Sequence, residues 1–272
     1  MVKIARLKEL ALTSLPMPLG SFLKVVWQTG RRLINRLYFN LFERQTVVLD
    51  VLHAQEGQLN QPVVIDYLLH GVVGGFFLDI GANHPRFNSN THFFEKQRNY
   101  RGIAFDPLEQ YKGEWEKTRP NTRFMNIAAG ATSGTVRFYQ HANTDGWADQ
   151  LSFTDLSHND REPQLPSRIV DVIPLADLQS LPDIVSFASI DVEGAEREVL
   201  KGFRTSLRPH VLVIENCFGP IGNNALRDQV RAMGYVLVAR ISYIDDVYVR
   251  TDLVGQVPDL RRLRNERRDL FR

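Results

Sequence analysis

The stretch Ser189-Ile190-Asp191-Val192-Glu193-Gly194-Ala195-Glu196 places three carboxylates within six residues, directly after an apolar run. Carboxylates held at the end of a buried segment can orient a hydroxyl group or take its proton. Glu193 and Glu196 fall in the first turn of a following helix, where the helix dipole favours negative charge, so capping accounts for part of the cluster. It accounts least for Asp191, at the tip of the apolar run. Other apolar runs end in polar groups too. Leu78-Asp79-Ile80-Gly81-Ala82-Asn83 carries Asp79, a glycine that lets backbone approach a ligand without a Cβ, and Asn83. Phe105-Asp106-Pro107 carries Asp106, which at a strand tip can accept both hydroxyls of a ribose or cap the next helix. Asn126-Ile127-Ala128 offers an amide for an adenine edge and an apolar side chain for its face. Glu215-Asn216 ends a further run. The dinucleotide fingerprint Gly-x-Gly-x-x-Gly is absent, because Asn83 stands at its second glycine; a ligand without phosphates suits this turn better.

These tips must be held by strands. Residues 76–78, 102–105, 123–127, 184–190 and 211–214 read as short buried strands. Helical stretches fall between them at Asn90 to Lys96, Leu108 to Thr118 and Ala195 to Phe203, with another at Ala225 to Met233. Alternating strand and helix predicts a Rossmann-like, doubly wound α/β domain with a mostly parallel, seven-stranded sheet. Tyr235 to Ile241 and Val247 to Arg250, around Asp245-Asp246, predict an antiparallel terminal hairpin. Thr135 to Tyr139 and Arg168 to Ile173 read as extra strands, Pro174 to Leu181 as a short helix, and 140–168 as a long, functional loop. Ahead of the sheet, apolar residues from Ser21 to Phe42 recur at helical spacing with Lys24, Arg31, Arg32 and Arg36 among them. The organisation expected is a basic helical arm over 1–70, a domain over 71–255 and an Arg-rich tail over 256–272.

Net charge is +2, unevenly placed. Residues 1–45 hold eight Lys/Arg and two acids, and the tail holds six Arg and three acids. The middle is therefore acidic, which argues against nucleic acid as substrate. The single cysteine, Cys217, excludes an intrachain disulfide and a cysteine-based zinc cage, and fits a reducing, cytoplasmic setting. No apolar run reaches the length of a membrane span, and Ser14, Pro16 and Pro18 break any signal-peptide core. The basic arm is read as a packing or homodimer contact, or as a peripheral membrane contact.

Taken together, these motifs resemble the FkbM-like methyltransferases of the class I S-adenosylmethionine-dependent group. The similar stretches are 79–83, 102–107, 126–130 with Gly134, 189–196 continuing to Gly202, and Gly234-Tyr235 with 246–250. His84-Pro85 and Asp106 depart from the commoner pattern, in which a glycine and a glutamate stand; Ser89-Asn90-Thr91 is similar to a proline-bearing subgroup. The resemblance implies S-adenosylmethionine as cofactor, bound through Asp79, Gly81, Asn83, Asp106, Asn126 and Asp191. It implies methyl transfer to a hydroxyl of a sugar, natural product or lipid-like small-molecule or glycan acceptor.

For that chemistry Asp191 is the first choice as base or acceptor orienter and Glu193 the second, with His84, His141 and His158 behind them. Asp191 and another acid could hold a divalent metal, but no ligand spacing demands one, and none is assigned. Two other classes share such a sheet: a non-catalytic interaction module, and an NAD-type oxidoreductase, which the missing glycines oppose. Binding of S-adenosylhomocysteine against NAD separates the three.

Overall fold

The computed structural model describes residues 17–49, 57–142, 148–157, 164–179, 181–217 and 221–264. The chain opens on helix α1 (Met17–Phe42), then β1 (Val47–Leu49) and α2 (Gln61–Leu68). The main alternation follows: β2 (Phe76–Ile80), α3 (His92–Gln97), β3 (Arg101–Phe105), α4 (Lys112–Thr118) and β4 (Thr122–Met125). Four short strands come next, β5 (Ala128–Ala129), β6 (Gly134–Tyr139), β7 (Phe153–Thr154) and β8 (Ser167–Ile173). The chain then returns through β9 (Phe187–Ile190), α5 (Glu196–Lys201), β10 (Val211–Glu215), α6 (Asn224–Ala232), β11 (Tyr235–Ile241) and β12 (Asp245–Arg250).

The large sheet has the order β1-β11-β12-β10-β9-β2-β3-β4. Every neighbouring pair is parallel except those made by β12, which runs against both β10 and β11. The sequence reading expected seven strands; among the described residues the sheet has eight. The extra one is β1, three apolar residues that pair with Ala239 to Ile241 and are too short to show a period. Thus β1 and α2, in the stretch read as the arm, are built into the sheet and its packing. A second sheet, β5-β8-β6-β7, gathers the strands between 128 and 173. Residues 148–157, inside the stretch read as loop, contribute a 3₁₀ turn and β7 to it.

The central strands are apolar on both faces, as parallel strands covered by helices on each side must be. Leu78 and Ile80 of β2 point into one core with Ile190, Ile214, Leu226 and Tyr248. Phe77, the residue before Leu78, points into the other with Phe94, Phe187, Val213 and Val247.

One buried polar knot ties the C-terminal half together. Asp246 is fully buried and accepts from Arg227 Nε, Arg240 Nη1 and Asn216 Nδ2 at 2.8, 2.8 and 2.7 Å. Burial opposes its ionisation, but the two guanidinium groups outweigh that and hold its pKa below the usual carboxylate value. Arg240 also donates to the carbonyls of Asn216 and Tyr243, and the buried Asn35 of α1 donates to the Ser242 carbonyl at 2.6 Å. Removing one partner of a buried ion pair leaves the others charged and unmatched. Asp246→Ala should therefore lower stability by about 3–5 kcal/mol in urea unfolding. A loss under about 1 kcal/mol would show that the knot is dispensable.

Candidate active site

The carboxyl ends of β2, β3, β9 and β10 open on one cleft of about 1140 Å³, part of it continuous with solvent. Its walls include Asp79, Asp106, Asp191, Glu193 and Glu215, with Phe105, Ile127 and Phe138 as apolar surface. Residues 149–154 cover one side. Asp149 anchors that cover by accepting from Tyr111 Oη and, at 2.8 Å, from Gln110 Nε2.

Asp106 ends β3 and is buried. Its Oδ1 accepts the Leu108 N–H and its Oδ2 the Asn83 N–H, both at 2.8 Å. So it does cap the turn after it, and it also clamps the β2 tip. Each oxygen keeps further acceptor capacity toward the cleft. Burial raises its pKa to about 6. Asn83 adopts a left-handed backbone at φ 46°, and its carbonyl accepts from Trp115 Nε1. Asn126 donates its amide to the Asp106 carbonyl at 2.8 Å; the residues of that turn that line the cleft are Ile127 to Ala129.

Gly81, at φ 82° and in the cleft wall, has a reason beyond the one expected. A Cβ there would lie 1.7 Å from the Asp191 carbonyl oxygen. The close approach that glycine permits is between the β2 and β9 tips, which also share the Asp191 N–H to Ile80 carbonyl bond at 2.9 Å.

Asp79 lies beneath, accepting from Thr91 Oγ1 at 2.6 Å. Arg119, wholly buried, carries that corner. It pairs with Glu95 at 2.6 Å and donates to the Pro85 carbonyl and to Thr91 Oγ1. The Ser89-Asn90-Thr91 turn is thereby held against β2. Asn90 donates to Ser189 Oγ at 3.1 Å, while its Oδ1 is buried, at the cleft wall, and has no hydrogen-bond partner among the described residues. Sequence reasoning quoted Asn90 and gave it no role; a lone amide in a turn has no distinguishing signal.

Asp191 and Glu193 are brought together with Glu215, which the sequence had marked only as a strand end. One carboxylate oxygen from each lies within 4.8 Å of the others, a spacing that could hold a divalent cation or a shared proton. Burial pushes Asp191 well above the usual carboxylate range, and Glu193 and its other acidic neighbours add to it. Glu215 is raised for the same reasons, burial first and then Asp191. Glu196 turns away to accept the Gly194 N–H at 2.8 Å, the capping role foreseen for it. Glu193 sits in the left-handed region at φ 56°, a conformation that costs a non-glycine residue about 1–2 kcal/mol. Among the described residues, the candidate histidines take no part in the cleft wall. His84 Nδ1 accepts the Arg86 and Phe87 N–H groups, His141 lies outside the lining, and His158 falls outside the described residues.

A mostly parallel α/β sheet whose acid-tipped strands converge on a cleft beyond their carboxyl ends defines a ligand-binding α/β enzyme class. Within that class the lineage is plain: residues 79–237 match the model of the methyltransferase FkbM domain, more than half of the chain, and the chain belongs to that family. None of the curated proteins matches it. A solved structure with partial likeness is that of Burkholderia thailandensis 1,6-didemethyltoxoflavin-N1-methyltransferase with bound 1,6-didemethyltoxoflavin and S-adenosylhomocysteine. It is 14% identical, has a TM-score of 0.40, and the match covers 73% of this chain and 80% of that one.

The buried acids make a pH signature. Burial raises Asp79 to about 6 from 3.8, so the folded state holds this proton more tightly than the unfolded state. The stability tied to it is complete below about pH 4 and is lost as pH rises toward 6. Asp79→Asn stays neutral throughout. The variant should therefore gain about 1–3 kcal/mol on the wild type between pH 4 and 6 and no more above that. Urea unfolding at several pH values checks this; a constant gap would show that Asp79 is ionised throughout.

Proposed function

We propose that this protein transfers a methyl group from S-adenosylmethionine to a hydroxyl oxygen of a small-molecule or glycan acceptor. The observation that carries the reading is the meeting, in one cleft, of a ribose-competent carboxylate and a proton-holding carboxylate cluster on different strands. Family membership supplies the methyl-transfer class.

The residues fit the cofactor. Asp106 is a buried acceptor with capacity left for two hydroxyl donors, and Ile127 and Phe105 offer a flat apolar wall for a ring. Ile127 takes the ring face in preference to Asn126, whose amide is already turned to the Asp106 carbonyl. Asp79, Gly81 and Asn83 shape the turn that would receive the rest, and the unpartnered Asn90 Oδ1 awaits a donor there. When bound, S-adenosylmethionine supplies a methyl group already activated on a sulfonium, so alignment is the protein's main task.

Asp191 is assigned the acceptor's proton. Its raised pKa makes it a stronger base than an exposed carboxylate, and its hydrogen bond with Glu215 gives that proton a second site. Glu193, fixed in its strained backbone, faces the same cleft and orients the acceptor.

S-adenosylhomocysteine should bind and raise the melting temperature by mass action. Asp106→Ala should weaken that binding about 10–150-fold, since a charge-assisted hydrogen bond contributes roughly 1.5–3 kcal/mol. An unchanged dissociation constant in calorimetry would leave Asp106 a cap alone. Asp191→Asn should cut turnover by about 100-fold or more while S-adenosylhomocysteine affinity moves far less. Wild-type turnover in a stably folded Asp191→Asn protein would remove it from the chemistry.

A further inference from the structure

His84 stands directly behind the cleft wall. Asn83, Phe87 and Asn88 line the cleft here, and the turn that carries them is wrapped around the His84 ring. Nδ1 accepts the Arg86 N–H at 3.1 Å and the Phe87 N–H at 3.0 Å. The His84 N–H donates to Asn83 Oδ1 at 2.6 Å. The Phe87 ring is exposed to the cleft mouth and packs against the imidazole, with centroids 4.6 Å apart.

The same ring meets the elements that hold the cover. Nε2 lies 3.2 Å from Glu114 Oε2 of α4, and Tyr111 meets the imidazole edge-on at 4.9 Å. Tyr111 Oη donates to Asp149, the anchor of residues 149–154. Asn88 Nδ2 donates to Gln150 Oε1 at 3.4 Å, so the turn touches the cover a second time.

One protonation state fits this arrangement. Two N–H groups aimed at Nδ1 need its lone pair, so the proton of the neutral ring sits on Nε2 and is donated to Glu114. A second proton would go on Nδ1, against both N–H groups, and the turn would have to open. The charged groups facing the ring are Glu114 of α4, Asp149 of the cover and Arg86 of the turn itself. Burial opposes the imidazolium most, and Arg86 adds to that. Glu114 and Asp149 favour the charge without outweighing them, so the pKa lies below the ordinary 6.5. The closed turn is therefore complete at neutral pH and is lost as pH falls below that value.

We propose that neutral, Nε2-protonated His84 is a positioning residue for cofactor binding. It fixes Phe87 and Asn88 in the cleft wall through their turn, and ties that turn to the cover through Tyr111. It acts through these neighbours, since it does not itself line the cleft. The assignment rests on the S-adenosylmethionine reading above.

The test is calorimetry of S-adenosylhomocysteine at several pH values on the full-length wild type, His84→Asn and His84→Ala. An Asn Oδ1 can accept the same two N–H groups, as in an Asx turn, and does not titrate. At about pH 8 the wild type and His84→Asn should bind alike. His84→Ala should bind about tenfold more weakly, the order expected for two lost neutral hydrogen bonds. Toward about pH 5.5 the wild type should fall to the level of His84→Ala while His84→Asn keeps its lead. Asp79 and Asp106 are present in all three proteins, so their titration cancels in the ratios. Parallel pH profiles, or His84→Ala binding as tightly as the wild type, overturn the assignment. So does His84→Asn as weak as His84→Ala at pH 8, which would make ring packing the cause. Should His84→Ala not fold, the ratio of wild type to His84→Asn across pH carries the same test. Nitrogen NMR of the imidazole in the ligand-free protein gives a second reading: a proton on Nδ1 at pH 8 overturns the assignment without any ligand. No binding by any of the three proteins sinks the cofactor reading too, whereas wild-type binding with parallel profiles sinks this assignment alone.

Discussion

The Asp246 carboxylate is the point on which the C-terminal half of the molecule closes. It sits on β12, yet its partners come from α6, β11 and the residue after β10. Through Arg240 the knot reaches Tyr243, and through Asn35 and Ser242 it reaches α1. A buried ion pair is worth its desolvation only when further hydrogen bonds satisfy its groups, and here Arg240 makes five such bonds and Arg227 three. Asn216 is both a member of this knot and the neighbour of Glu215. The same hydrogen bonds that close the hairpin therefore fix where the cleft's third carboxylate stands.

The N-terminal half of the site has its own anchor, built by the same physics. Arg119 spends its donors on Glu95, the Pro85 carbonyl and Thr91. Thr91 in turn holds Asp79. Between the two anchors run Gly81 and Asp191, whose backbones pack closely while the Asp191 N–H donates to the Ile80 carbonyl, joining the β2 and β9 tips. The carboxylates of the cleft are thus placed by rigid neighbours rather than by the loops that carry them, as a site that works by alignment requires.

The acid-tipped strands were legible because parallel central strands write themselves as short apolar runs, and the polar residue that ends each run marks the functional edge. Asp79, Asp106, Asp191 and Glu193 all reach the cleft for that reason. The ring-binding turn was legible only in part: the apolar Ile127 lines the wall, whereas Asn126 turns to a backbone carbonyl, a choice set by tertiary contact and invisible in the triplet. Glu215 was read as a strand end because its partners lie on another strand. Thr135 to Tyr139 and Arg168 to Ile173 were legible as β6 and β8 of the second sheet, whereas β1, β5 and β7 were missed because strands of two or three residues carry no period. The approach of the Asp191 carbonyl to Gly81 was hidden because sequence shows that a Cβ is missing and not which atom takes its place.

β1 has a consequence for the chain as a handled protein. It pairs with only three of the seven residues of β11, but it occupies the outer edge of the large sheet. An uncovered edge strand presents a row of unpaired N–H and carbonyl groups to any other chain. Trimming the N-terminus to residue 60 would keep every residue of the cleft wall except Gln58, and would leave β11 open as a template for strand addition. Its cost would fall on stability as well as solubility, because the same cut removes the buried Asn35 and Phe39.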